Sequence, residues 1–205
     1  MVTSLRWTIA DLDTLPESWE DVRYEIIDGE LYVSTQPDWR HQFVASEIQA
    51  TLNSWSRPVR TGLALFAPGV IFSPENAVAP DVVWVRQERF ATVLGRDGKL
   101  HGAPDLMVEL LSPGARNVRR DREAKLDLYS RWGVLEYWIV DWPARRIEAY
   151  RRRQAQLHLI ETLYADDVLQ SPNLPGFTTR VGEFFAQIPA DLRDVSASDQ
   201  EDDNE

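Results

Sequence analysis

Cysteine is absent from the 205-residue sequence. With it go disulfides, thiolate nucleophiles and any cysteine-based zinc site, and a reducing cytoplasm suits such a chain. Long apolar runs are missing too. None approaches the length of a membrane-spanning helix, and the opening residues, MVTSLRWTIADLD, contain no secretory apolar segment. The expectation is a cytoplasmic protein that does not engage a membrane. Histidine is scarce: His41, His101 and His158 lie far apart, without metal-ligand spacing on any one helix or strand. His41, at the start of a helix, either faces a site or has a capping or surface role, the second being the favoured reading. No glycine-rich phosphate loop and no Gly-x-Ser-x-Gly elbow is present. Positive charge is in deficit, with 22 Lys and Arg against 33 Asp and Glu, a net charge of −11 that argues against a general nucleic-acid coat protein.

What is present is unevenly placed. Residues 194–205, DVSASDQEDDNE, hold six of the acids and no base. Between Arg116 and Arg153, eleven Lys and Arg stand against six Asp and Glu. This basic segment is either a phosphate-facing surface or a solvated helix face with exposed hairpin arginines. The length suits one domain with a real core. Residues 1–190 are assigned to it, and residues 191–205 to an acidic, disordered tail. The eight tryptophans are expected in or near the core.

The pattern along the chain is that of a mixed α+β domain with a central sheet. Residues 8–15 read as a short amphipathic helix, Thr8 its N-cap and Asp11 three residues on. Strands at 23–27 and 30–34 flank Asp28-Gly29, a type I′ hairpin signal. A helix over 39–55 carries the stripe Val44, Ile48, Leu52 and Trp55. Strands follow at 60–67 and 70–73, then a loop over 74–80. Asp81 stands at the mouth of a buried strand ending at Val85, and residues 86–103 form a helical turn and a surface loop. Later strands are expected at 136–140, 146–151 and 157–163, then a loop over 172–176 and a short helix over 181–186.

The stretch from Ala103 to Trp138 organises the rest. An apolar run from Leu106 to Leu111 reads as a buried strand interrupted by Glu109, a carboxylate that is costly there unless a cation or donors meet it. Pro113 and Gly114 break the chain, and a helix over 117–132 ends at Gly133. On it Asp121, Lys125 and Tyr129 share one face. Glu25, Asp81 and Glu109 all lie in or beside strands. If the strands carrying Asp81 and Glu109 are neighbours, the two acids converge. Two carboxylates, a carbonyl and waters suit Mg²⁺ or Mn²⁺, which activate water and offset charge on a phosphodiester. Lys125 would add positive charge at the reacting phosphate. Each residue also has an ordinary alternative: Asp81 a turn former, Glu109 half of a buried ion pair, Lys125 an exposed helix lysine.

Pro80-Asp81, then Glu109-Leu110-Leu111, then a lysine on the next helix, resembles the PD-(D/E)XK nuclease superfamily. More narrowly, YEIIDGEL (24–31), the helix near His41, APDVVWV (79–85) and PDLMVELLSP (104–113) resemble the Uma-two family of restriction-endonuclease-like proteins. So does the set Asp121, Lys125, Tyr129, Gly133-Val134 and Glu136-Tyr137-Trp138. The resemblance covers about residues 8–187 and implies a restriction-endonuclease-like core, a central mixed sheet flanked by helices. It implies Asp81 and Glu109 as metal ligands completed by the Leu110 carbonyl, with Glu25 as a further ligand. Lys125 takes the catalytic lysine's place, because Leu111 stands where the superfamily often has lysine. Tyr129 either hydrogen-bonds the site or packs, Asp121 pairs with Lys125 or Arg122, and Ser112 caps the helix or touches phosphate. The implied activity is Mg²⁺- or Mn²⁺-dependent hydrolysis of DNA by a homodimer. The alternatives are a non-catalytic nucleic-acid or protein-interaction module on the same fold, and a metal-dependent hydrolase of another substrate.

Overall fold

The structure is a computed structural model that describes residues 6–12, 14–15 and 22–189. The expected acidic tail lies outside the described residues. The first turn, α1 (Ile9–Leu12), is shorter than the helix expected over 8–15, but its start is as read: Asp11 Oδ2 accepts from the Thr8 amide and hydroxyl, 2.7 Å each. The hairpin of β1 (Val22–Ile27) and β2 (Glu30–Thr35) turns at Asp28 and Gly29, both at positive φ as a type I′ turn requires.

Helix α2 (Trp39–Val59) is N-capped by Asp38, whose carboxylate accepts from the Arg40 amide at 2.7 Å. It continues four residues past the expected end, through Pro58, and stops at Arg60 in the left-handed region. Of its stripe, Val44, Ile48 and Leu52 are fully buried, while Trp55 is half-buried against Trp84 and Phe177.

The next strands are β3 (Gly62–Phe66), β4 (Val70–Ser73), β5 (Asn76–Val78) and β6 (Val82–Arg86). Strand β5 corrects the loop expected over 74–80. It is too short and polar to announce itself, yet it pairs with both β1 and β4. Helix α3 (Gln87–Val93) and the two-residue β7 (Leu100–His101) fill the expected turn and loop. Strand β8 (Leu106–Leu110) follows, fully buried.

The helix expected over 117–132 starts earlier and is not uniform. It comprises α4 (Ala115–Arg119), a π-helical turn (Arg120–Ala124) and α5 (Lys125–Trp132), closed by Gly133 in the left-handed conformation. Strands β9 (Glu136–Asp141), β10 (Arg146–Arg153) and β11 (Gln156–Tyr164) come next. The ribbon of β12 (Val168–Ser171) and β13 (Leu174–Arg180) replaces the loop expected over 172–176. A 3₁₀ turn over Val181–Phe185 closes the described chain.

A mixed six-stranded sheet, β11-β10-β9-β8-β6-β3, forms the centre, with only β8 and β9 parallel. Strand alternation divides its residues between two cores. Val82, Trp84, Leu106, Val108 and Leu110 pack against α2; Val83, Val85, Met107 and Leu111 pack on the side of Leu128 and Tyr129 in α5. A second sheet, β2-β1-β5-β4-β7, carries Glu25. Of the seven described tryptophans, Trp84, Trp138 and Trp142 are core residues, while Trp39 and Trp132 remain exposed.

The outer strand β3 is an edge that α2 closes by chemistry as well as packing. Asn53 donates from Nδ2 to the Ala64 carbonyl at 3.0 Å and accepts from the Ala64 amide at 3.1 Å, satisfying both free backbone groups with one side chain. Replacing Asn53 by alanine leaves the buried Ala64 amide unpaired and its carbonyl with only the long bond from Gln49 Nε2 at 3.4 Å. Urea unfolding should show a loss of about 2–3 kcal/mol.

Candidate active site

The acids are gathered by strand register. Strands β6 and β8 run antiparallel with Val82 opposite Val108. One further step sets Asp81, just before β6, across from Glu109. Counting by two along each strand puts both acids on the α5 side of the sheet. The pairing of β1 with β5 carries Glu25 to the same place, where its Oε1 accepts from the Ala79 amide at 2.9 Å, two residues before Asp81. The strand missing from the sequence reading is therefore the one that fixes the third acid.

Lys125 closes the cluster from the helix. Its side chain is 1% exposed, with Nζ 2.9 Å from Glu25 Oε1, 2.9 Å from Glu109 Oε1 and 3.6 Å from Asp121 Oδ1. The exposed-lysine alternative is thus excluded. The Tyr129 hydroxyl, one turn on, donates to Glu109 Oε1 at 2.7 Å, so Tyr129 both packs and holds the acid. Asp121 pairs with Lys125 as expected, but its closer partner is Arg120, Nε to Oδ1 2.9 Å, while Arg122 reaches Glu148 at 2.7 Å. Ser112 lines the cleft, and no side chain caps α4, which begins at Gly114.

Asp81 is held on its other side. Oδ2 accepts from the Leu110 amide at 2.8 Å and lies 3.3 Å from His41 Nε2; Oδ1 lies 3.3 Å from Arg23 Nη1. His41 is buried, and Nε2 is also 3.1 Å from the Leu110 carbonyl oxygen. This corrects the capping or surface role expected for His41. Arg23, His41 and Arg120 were not singled out from the sequence as site residues. A histidine two residues into a helix, or one arginine among many, carries no signal of where a distant strand will place its partner.

Glu25, Asp81, Glu109 and Asp121 are all buried, and their charges are not matched one for one. Burial and the neighbouring Asp81, Glu25 and Asp121 push Glu109 up to about 8, against the pull of Lys125. Burial also works to raise Asp81, but His41 and the Leu110 amide hold it down at about 2. Glu25 is lowered in spite of burial by Lys125 and Arg120, and Asp121 is raised by burial. Burial would lower Lys125, yet the three acids around it raise it. These directions agree: Lys125 and Arg120 sit among Glu25, Glu109 and Asp121, two cations against three carboxylates, so the cations are secure and one carboxylate is surplus.

The donor set fits a divalent cation. Asp81 and Glu109 supply hard carboxylate oxygens and Leu110 a carbonyl, the ligands that Mg²⁺ and Mn²⁺ accept. Asp81 Oδ2 and the Leu110 oxygen both address one point, where the His41 nitrogen now stands. Among the described residues no three His, Asp or Glu side chains are drawn together as a ready ligand cluster. The Lys125 ammonium and the His41 ring stand against those oxygens instead.

The family model Uma2, described as "Putative restriction endonuclease", matches residues 9–182. Among curated proteins none matches the chain. A crystal structure from Anabaena variabilis, described as a putative nuclease belonging to DUF820, is similar with a TM-score of 0.68 at 20% identity, over 87% of this chain and 97% of that one. That likeness establishes the shared fold.

The surplus carboxylate sets a pH dependence. Glu109 ordinarily titrates at 4.5 and is held at about 8 in the folded chain, so the native state binds the extra proton between those values. Its contribution to stability is full below about 4.5 and is lost as pH rises towards 8. Asp81, lowered from 3.8 to about 2, contributes above 3.8 and loses that as pH falls towards 2. His41, also raised, acts in the same sense as Glu109. Glu109→Gln keeps an acceptor for Tyr129 and removes the charge. Urea unfolding at about pH 8 should show the variant more stable than the parent by on the order of 2 kcal/mol, with a smaller difference near pH 5. Equal stabilities at both pH values would refute the surplus.

Proposed function

The chain belongs to the Uma2 (Uma-two) family, whose description is a putative restriction endonuclease, and on that premise we propose a divalent-cation-dependent endonuclease that hydrolyses phosphodiester bonds in DNA. The observation that carries this reading is the meeting of Asp81, Glu109 and Lys125 in one buried cleft beside the Leu110 carbonyl. Asp81, Glu109 and Leu110 are the cation's ligands, with Glu25 reaching it through water. When bound, Mg²⁺ or Mn²⁺ supplies an acidified attacking water and offsets the charge of the phosphodiester.

The protein's own groups do the rest. Lys125 presents positive charge beside Glu109 and stabilises the extra negative charge of the pentacovalent phosphorus. Glu25 and Asp121 aim that ammonium, and Tyr129 fixes the Glu109 carboxylate that the ammonium faces. Substrate access is supported by two cavities that share lining residues with the cleft. One, of about 480 Å³, is lined by Tyr32, Arg116, Arg119 and Arg120 together with Glu30 and Glu123, the last paired with Arg119 at 2.8 Å. The other, of about 320 Å³, is lined by Arg23, Thr35, Gln42 and Phe66. Arginines along this course suit phosphates flanking the cut. A break in both strands requires two such sites, so two copies act together in this reading.

The test is cleavage of supercoiled and linear DNA with Mg²⁺ or Mn²⁺, beside a chelator control. The parent should cut only with the cation. Asp81→Asn and Lys125→Met, shown to be folded by circular dichroism, should each lose about 10²-fold or more. Folded parent protein that neither cuts nor binds a cation would favour the non-catalytic module, in which the carboxylates and Lys125 are a closed ion-pair network.

A further inference from the structure

Phe66 ends β3 and is 45% exposed, although Ala64, two residues earlier on the same face, is buried. Its place is tied to the acid site. Phe66 pairs with Val82, the residue after Asp81, and the Ala67 amide donates to the Asp81 carbonyl at 2.8 Å. That bond accompanies a φ of 44° at Ala67, a left-handed conformation that is costly for a residue with a side chain. Strain of this kind persists where the surrounding structure over-determines it. The bend thus leaves an apolar ring open to solvent directly beside a carboxylate of the proposed cation site.

The ring forms one wall of the cavity of about 320 Å³. Val22 and Pro37 continue the apolar wall, Gln36 and Gln42 supply amides, and Arg23 and Asp81 are shared with the acid cleft. Gln42 Nε2 reaches the Pro37 carbonyl at 3.5 Å, a long bond that a better acceptor displaces. A flat apolar wall with amides at its edge suits a nucleobase, which stacks by its face and bonds by its rim. The volume lies at the small end of ligand-sized clefts, a fit for one base. Inside a duplex both faces of a base are covered by its neighbours, so only a base outside the stack can use this wall. Charge points the same way. At a net charge of −11 the chain has few phosphate contacts to offer, and stacking adds affinity without a positive side chain. A second copy of the chain would cover the ring with apolar surface, an occupant that the amides and Arg23 suit less well.

We propose that this cavity binds one nucleobase beside the scissile phosphate, stacked on Phe66 and held at its rim by Gln36 and Gln42, and that the preferred substrate is DNA unpaired at that base. This inference rests on the nuclease reading of the site and names the form of DNA that the site takes.

The experiment uses the full chain with Mn²⁺ and one labelled oligonucleotide in three forms: the single strand, its perfect duplex, and the duplex with a single unpaired nucleotide. Initial rates over a range of DNA concentrations give KM and kcat separately. The parent should cut the single strand and the bulged duplex with kcat/KM roughly tenfold or more above the perfect duplex. Phe66→Ala and Phe66→Leu should each raise KM for the single strand about tenfold, the loss of one stacked base, and leave the perfect duplex nearly unchanged. Phe66→Tyr keeps a ring face and should retain the parent KM. Ultraviolet crosslinking of the parent to a single strand carrying iodouracil is the second measure. It should join the base to Phe66, as located by mass spectrometry, and it needs no variant. Equal cutting of single strand and duplex, an unchanged KM in Phe66→Ala, or crosslinks only elsewhere would overturn the base pocket and leave the nuclease standing. So would a loss shared by all three DNA forms with a change of mass in sedimentation, which would make Phe66 a contact between copies. A folded parent that cuts none of the three would overturn both.

Discussion

The structure turns on one buried ammonium. Lys125 is 1% exposed and ties together Glu25 of β1, Glu109 of β8 and Asp121 of its own helix. These three elements belong to the second sheet, the central sheet and the helical layer. The bond network is therefore a joint between layers as well as a cluster of functional groups. Burying one lysine and several carboxylates costs several kcal/mol per ion, and their attraction offsets it only with close geometry on every side. Tyr129, the Ala79 amide and Arg120 supply further donors. Removing Lys125 would leave three acids facing one another, so this lysine is bound up with folding.

A second buried acid shows what a purely structural solution looks like. Glu136 is fully buried in β9, but it is surrounded by neutral donors: the Trp138 indole at 2.8 Å, the Asn173 amide at 2.9 Å and the Ser171 hydroxyl. Arg151 lies 3.5 Å away. Glu136 closes the attachment of the β12–β13 ribbon and has no second acid beside it. Glu109 is met by one amine and one phenol and has acids on three sides. The difference lies in how the charge is compensated, not in depth of burial. Neutral donors give a carboxylate with nothing left to bind; a shared cation leaves one that gains by meeting another.

Much of this was legible in the sequence because it depends on short-range patterns. The hairpin at Asp28-Gly29, the helix stop at Gly133 and the buried strands around Val82–Val85 and Leu106–Leu110 follow from turn chemistry and alternation. The spacing of Asp121, Lys125 and Tyr129 fixed their common face. It did so even though Asp121 itself lies in the π turn, which ends at Ala124 before α5 begins on Lys125. What was missed depends on long-range pairing. Strand β5 is three residues long and takes its identity from partners at Ile26 and in β4. Strands β12 and β13 stabilise one another and carry Pro172 and Gly176 at or near the places where a loop would have them. Arg120 and Arg23 could be separated from the other arginines only by knowing which strands meet.

His41 was misread for a reason that bears on how the site is built. Its near neighbours, Arg40 and Gln42, are ordinary helix-surface residues, and Asp38 is an ordinary cap. Position alone therefore argues for solvent. The override comes from α2 lying across the end of β8, where Leu110 has completed its strand pairing and its carbonyl turns towards the helix. A carbonyl at a strand end must find a donor or a cation. In this fold the partner it is offered is the His41 ring. Asp81 is held between the Leu110 amide and the same ring. The two halves of the cleft thus follow one logic: Lys125 on the helix side and His41 on the opposite side satisfy the acids while they stand alone.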